Sequence, residues 1–315
     1  MSLCEKKKVL KRALELGHNH NPADPSSLTL DDIDKVDVDH PEAVKVIRSF
    51  QAFMSSNLNE FVAKHHPNRI ASIDGDIGPA TIDLANMMRC GFPDYMPAGR
   101  EEANWPGGCR GDIQIGRIFE QLPGSTREDT DKIWWASCNN WTQALVDLEM
   151  FSQGFVNSTS GLQLWSGLKA LGGSTLAWSF LAQNSCQAKL EQRFNTRVNW
   201  AKLAFSAAVK THEDGHAIGL PHNDDRDALM YPAIHDRSIA RRGYPNDTDL
   251  RGCKAIGYQL SGLDQMPEEQ LWYPRNDDPT IPPPDPWDPS DPTGKLPTSA
   301  KYYFGTELIK EVKFG

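Results

Sequence analysis

Through residues 5–88 the apolar positions recur mostly on a helical period. Val9, Leu10, Ala13 and Leu14 make one face of a short basic helix over 5–16. A polar loop, 18–27, follows; His18 and His20 in it read as a solvated turn, a loop metal site being the alternative. Thr29 is positioned to cap a helix running to Val36. Pro41 and Glu42 open a second helix, because proline is harmless in a first turn. Val44, Ile47, Phe50, Gln51 and Phe53 give that helix a largely apolar stripe. A third helix starts at Gly78-Pro79 and ends near Met88.

The period changes downstream. Ile113 and Ile115 alternate with Gln114 and Gly116 as a short half-buried strand. Ser125 and Glu128 form a capping-box pattern opening a helix to about Leu145, with Trp134, Cys138, Trp141 and Leu145 near one face. Further strands are expected at 150–156 and 162–166, and helices at 201–218 and 247–258. Residues 274–298 are rich in Pro and Asp and suit a stiff extended linker. Residues 301–314 carry the residue types of one or two strands.

The densest chemistry lies in Thr211–Ile234, THEDGHAIGLPHNDDRDALMYPAI. His212 and His216 are four apart, so a helix puts both on one face, where they can share one metal. Glu213 sits one step round, placed to hold a metal-bound water and take its proton. Gly219 lets the chain turn out of the helix, Pro221 stops the helix resuming, and His222 returns as a third nitrogen donor. Three protein donors leave the fourth position of a tetrahedral zinc open, which marks a catalytic site.

The H-E-x-x-H-x-x-G-x-x-H spacing followed by Ala228-Leu229-Met230-Tyr231-Pro232 resembles the metzincin clan, and within it the matrixins, or matrix metalloproteinases. The resemblance implies an α+β/α/β metzincin catalytic domain, a twisted mixed sheet with a long active-site helix. A small three-helix propeptide domain would precede it. It implies zinc endopeptidase activity on protein or peptide substrates, with a zinc-bound water, Glu213 as general base and Met230 in a turn beneath the metal. Asn223 and Ile234 depart from the usual matrixin residues. The family's structural-zinc histidine is replaced by Trp178, and no histidine lies between His66 and His212, so one zinc is expected. Asn195 and Val198 stand where matrixins carry acidic calcium ligands; calcium stays a candidate, though no spacing identifies its loop.

The D-G-x-x-G-P-x-T run at 74–81, with Phe50-Gln51 upstream, resembles the peptidoglycan-binding-like unit that also forms the matrixin propeptide. Arg89-Cys90-Gly91-Phe92-Pro93-Asp94 resembles the matrixin cysteine switch, with Met88 in place of its first proline. In that arrangement the Cys90 thiolate takes the open zinc position, and Arg89 and Asp94 pair to brace the loop. Residues 95–106 would be the activation linker, Arg100 offering a trypsin-like site. The chain then divides into an N-terminal extension (1–27), a helical prodomain with the switch (28–94), the linker (95–106), the catalytic domain (107–262) and a tail (263–315).

With Cys90 on zinc, Cys109, Cys138, Cys186 and Cys253 could form two disulfides in three ways, or all stay reduced. A formal net charge of −9 argues against phosphate-driven nucleic-acid binding. No apolar run approaches the ~18 residues needed to span a membrane. The first residues lack the apolar segment of an intact signal peptide, so an extracellular or cell-surface location rests on the family resemblance. The alternative reading is a cell-wall-directed peptidase that binds peptidoglycan through residues 28–88.

Overall fold

The computed structural model describes residues 2–18, 28–65, 71–94, 110–172, 174–180, 190–262, 299–304 and 307–313. His20, the linker 95–106 with Arg100, Cys109, Cys186 and the Pro/Asp-rich segment 274–298 lie outside the described residues. No helix among the described residues is long and apolar enough to cross a membrane.

A helical unit comes first: α1 (Leu3–Glu15), α2 (Pro41–Phe53), α3 (Ser55–His65) and α4 (Pro79–Asn86). Ser2 and Glu5 cap α1 reciprocally, each accepting the other's backbone N–H. Leu10, Ala13, Ile47, Phe50, Leu58 and Leu84 then bury together. Helix α1, set apart in the sequence as an extension, thus shares one core with α2 to α4. Thr29 caps only a single 3-10 turn, Leu30–Asp32, in which the Asp32 carboxylate accepts the Thr29 N–H at 3.0 Å. Helix α3 was not anticipated. Its apolar residues Leu58, Phe61 and Val62 keep helical spacing but are outnumbered by polar neighbours. The 74–81 turn is held internally: Gln51 donates to the Asp76 carbonyl (3.0 Å) and accepts from the Gly75 N–H (2.9 Å). His18 is not in a solvated turn but 1% exposed.

The second unit is a five-stranded sheet with helices. Its strands are β1 (Gly111–Arg117), β2 (Leu148–Phe155), β3 (Leu164–Lys169), β4 (Ala177–Ser179) and β5 (Leu190–Asn195). They run in the order β2-β1-β3-β5-β4, all parallel except β4, the antiparallel edge strand. The helices are α5 (Arg127–Ala144), α6 (Leu203–Ala217), α7 (Asp236–Ala240) and α8 (Asp247–Ala255). A separate antiparallel hairpin, β6 (Ser299–Phe304) and β7 (Glu307–Lys313), lies near the end of the chain.

The cap of α5 is Thr126, which accepts the Asp129 N–H at 3.0 Å, and not Ser125 as the sequence suggested. Ser125 turns its hydroxyl to the neighbouring Thr126 carbonyl instead. Trp134 and Trp141 of α5 are fully buried, and the Trp141 indole donates to the Thr211 carbonyl at 3.0 Å. That bond fixes α5 against α6, which is buried without interruption from Ser206 to Ala217. Two charged residues inside α6 pair with each other: the Lys210 ammonium meets Asp214, which also accepts from Ser137 of α5 and Gln192 of β5. A buried charge needs such partners, since an unpaired one costs several kcal/mol on the order of 3–5.

Candidate metal centre

Helix α6 carries His212, Glu213 and His216 and stops by a six-to-one closure. The Leu220 N–H donates to the Gly215 carbonyl and the Gly219 N–H to the His216 carbonyl, both at 2.9 Å. Gly219 takes φ +106, open to a residue without Cβ. The chain doubles back and brings His222 to the other two histidines, with ring centroids 4.8–5.2 Å apart.

Each ring is turned by what its Nδ1 touches. His212 Nδ1 donates to the Leu229 carbonyl and His216 Nδ1 to the Leu220 carbonyl, both at 2.7 Å. His222 Nδ1 donates to Asp94 Oδ1 at 3.0 Å. A carbonyl can only accept, so the proton of His212 and His216 sits on Nδ1 and Nε2 keeps its lone pair. Three such nitrogens converge with the Cys90 thiol: His212 and His222 Nε2 are 3.3 Å apart, and Cys90 Sγ is 3.5 Å from His216 Nε2. All four donors lie within 4.8 Å of one another and all four residues are buried. Lone pairs facing each other in a dry site repel unless a cation sits between them, so the donor set fits zinc.

Electrostatics agree with that fit. Burial pushes His212 down to about 3 and His216 well below the usual imidazole range, so both stay neutral, as metal ligation requires. His222 is lowered by burial too, against the pull of Asp94. Burial, then the Glu213 charge, raises the Cys90 thiol well above its ordinary value. A divalent cation supplies the charge that would turn this thiol into a thiolate ligand. Burial also raises Glu213 to about 8, Cys90 working against the rise and Asp214 with it. Both Glu213 carboxylate oxygens are buried without a hydrogen-bond partner. Such an orphaned group is costly unless the site puts a polar ligand beside it.

Met230 packs against α6. Its N–H and that of Leu229 donate to the two oxygens of Asp249, at 2.9 and 2.7 Å, pinning the turn to α8. The turn presses on α6 at Gly215, where a Cβ would meet Met230 Sδ at 2.3 Å and Trp141 at 3.1 Å. Gly215→Ala should therefore displace Met230 and cost about 1–3 kcal/mol by overpacking. A thermal melt showing no loss against the parent chain would remove this contact as a constraint.

Residues 89–91 pair with the stretch 174–177 that leads into β4. The Arg89 N–H donates to the Ser174 carbonyl (3.0 Å), the Leu176 N–H to the Arg89 carbonyl (2.8 Å) and the Gly91 N–H to the Ala177 carbonyl (2.8 Å). From the opposite wall, the Cys90 N–H donates to the Pro232 carbonyl at 2.8 Å. Arg89 pairs with Asp94, both side chains fully buried. Phe92 stacks on His216 with centroids 4.3 Å apart. The helical unit grips the Met230 turn directly: Tyr231 and Ala233 join its core, the Tyr231 hydroxyl donates to Asn57, and Arg226 pairs with Glu60 at 2.6 Å.

The candidates His212, Glu213, His216, His222, Cys90, Met230, Arg89 and Asp94 are all brought together at this one centre. The Asn195 amide bonds to the Leu171 and Thr175 carbonyls and to the Leu171 N–H. His235 caps α7 through Nδ1. Cys138 and Cys253 are buried and free. The sequence gives no sign of the stacking of Phe92 on His216 or of the burial of His18, whereas Asp249 leaves a signal in its Asn246-x-x-Asp249 capping box.

A sequence model described as matrixin matches residues 118–256. Matrix metalloproteinase-27 of Homo sapiens is 25% identical over 226 residues, 67% of this chain and 40% of that protein. The hatching enzyme of Paracentrotus lividus is 23% identical over 210 residues, 62% of this chain and 32% of that protein. Neutrophil collagenase of Homo sapiens is 45% identical over 53 residues, 17% of this chain and 11% of that protein. The match thus spans well under two thirds of each relative. Residues 118–256, which carry the three histidines and the Met230 turn, are thus similar to a matrixin domain, and the buried Cys90 and histidine cluster could hold a metal ion.

Proposed function

We propose that the full chain is a latent zinc-dependent endopeptidase acting on protein or peptide substrates. The observation that carries this reading is the Cys90 thiol, buried among three histidines whose free nitrogens face it. His212, His216 and His222 would hold the zinc, with Cys90 as fourth ligand in the latent chain. When bound, the metal supplies a Lewis acid that polarises a peptide carbonyl and makes a water acidic enough to attack it near neutral pH.

The chain's own residues do the rest. Glu213, unpartnered and shifted upward by burial, takes a proton at its carboxylate and returns it to the departing amine. The backbone of 174–177 at the start of β4, which bonds to Arg89 and Gly91, offers the same groups to an extended peptide once that segment leaves. Tyr231 and Arg226 hold the helical unit over the cleft, so latency has a steric part beside the thiol. Cutting the chain within 95–106 would turn the inhibitory segment into a separate molecule and end its high local concentration. Incubation with a broad protein substrate before and after limited proteolysis tests this. Hydrolysis should appear only after cleavage; a cleaved, zinc-loaded chain that hydrolyses nothing would overturn the reading.

A further inference from the structure

Asp94 was expected only to brace the switch through Arg89, yet its carboxylate has three partners. Oδ1 meets the Arg89 guanidinium and accepts from His222 Nδ1 at 3.0 Å, and Oδ2 meets His18 Nε2 at 2.9 Å. The Asp94 side chain is fully buried. Burial opposes its charge, but Arg89 and the hydrogen bonds from His18 and His222 hold its carboxyl well below the usual range. The backbone fixes it as well, since the Asp94 N–H donates to the Leu16 carbonyl just beyond α1, at 2.8 Å. His18 is itself anchored: its Nδ1 is 3.0 Å from Ser49 Oγ, and its ring packs edge-on to Phe50 at 5.2 Å.

The three metal histidines are therefore not held alike. His212 and His216 donate to carbonyls of their own domain. His222 donates to a carboxylate carried by the segment that also carries Cys90. A carboxylate on the far nitrogen of a metal-binding imidazole fixes its tautomer and orientation and makes it a better donor.

We propose that Asp94 is a positioning residue of the metal centre, orienting His222 toward the metal in the intact chain while His18 and the Leu16 carbonyl hold Asp94 in place. Departure of residues 89–94 then removes two things at once, the thiol ligand and the anchor of the third histidine. The intact chain holds zinc more tightly than loss of the thiol alone explains. This rests on the reading of His222 and Cys90 as zinc ligands.

Zinc competition with a chromogenic chelator, run on the full uncleaved chain, tests it as a double-mutant cycle. The parent, Cys90→Ser, Asp94→Ala, Asp94→Asn and the Cys90→Ser pairings are compared. In the Cys90→Ser background, Asp94→Ala should still weaken zinc by about 10–100-fold, the usual effect of losing an outer-shell partner. Asp94→Asn keeps the shape and an acceptor oxygen, so it should fall between, and it covers the case in which the alanine variant does not fold. No effect of either Asp94 variant once Cys90 is Ser would overturn the proposal, because Asp94 would then act only by bracing the thiol. His18→Phe keeps a ring but loses its bond to Asp94; it should weaken zinc in the same direction, and unchanged affinity would take His18 out of the scheme. Failure of the underlying reading looks different. If Cys90→Ser alone leaves affinity unchanged and the cobalt-substituted parent lacks a thiolate charge-transfer band, Cys90 is no ligand, whatever Asp94 does.

Discussion

Glu213→Gln should reduce peptide hydrolysis by the cleaved, zinc-loaded chain on the order of 10²–10⁴-fold, the usual contribution of a general base. Glutamine keeps the shape of the side chain and removes only its ability to take a proton. Glu213 lies in α6 between His212 and His216 and holds none of the hydrogen bonds that shape the site, since both its oxygens are unpartnered. Fold and zinc content should therefore survive, and the loss should fall on kcat with little change in KM. Metal analysis and steady-state rates on the same preparation check this. Full activity in the variant would rule out Glu213 as the base. Loss of zinc together with activity would assign it a structural role.

Cys90→Ser should give activity, or self-cleavage, in the full chain without added protease. A hydroxyl is a far poorer zinc ligand than a thiolate. The segment would still be docked through the backbone of 174–177, the Pro232 carbonyl and the Tyr231–Asn57 and Arg226–Glu60 contacts. Activity should accordingly rise from the latent baseline but stay below that of the cleaved chain. A purely steric cover predicts the opposite pair of results: Cys90→Ser stays latent, and the parent's Cys90 is free of metal. Comparing initial rates of the two uncleaved chains on one peptide substrate decides between them.

The motif residues were legible because the proposed metal chemistry constrains their spacing. Two histidines four apart need a helix, a glycine must release the third, and the methionine turn must pack against that helix. What stayed hidden depends on contacts between distant segments. Strand β5 alternates correctly, but its inner face includes Gln192, buried because it bonds to Ser166 and Asp214; a polar inner residue conceals a strand. Strand β4 has only three residues, too few to show a period. Lys210 and Asp214 in α6 look like a solvated face, and only the tertiary fold makes them a buried pair. His18 reads as a loop histidine because its partners, Ser49 and Asp94, are remote in the chain. The cap of α5 shifted by one residue because Ser125 and Thr126 are chemically near-equivalent, and the turn before the helix decides between them.

X-ray absorption at the zinc edge of the intact chain addresses the metal centre most directly. The geometry predicts one zinc per chain with three nitrogen neighbours and one sulfur, the sulfur being lost in Cys90→Ser and after cleavage within 95–106. A first shell of nitrogen and oxygen alone in the uncleaved parent chain would contradict it.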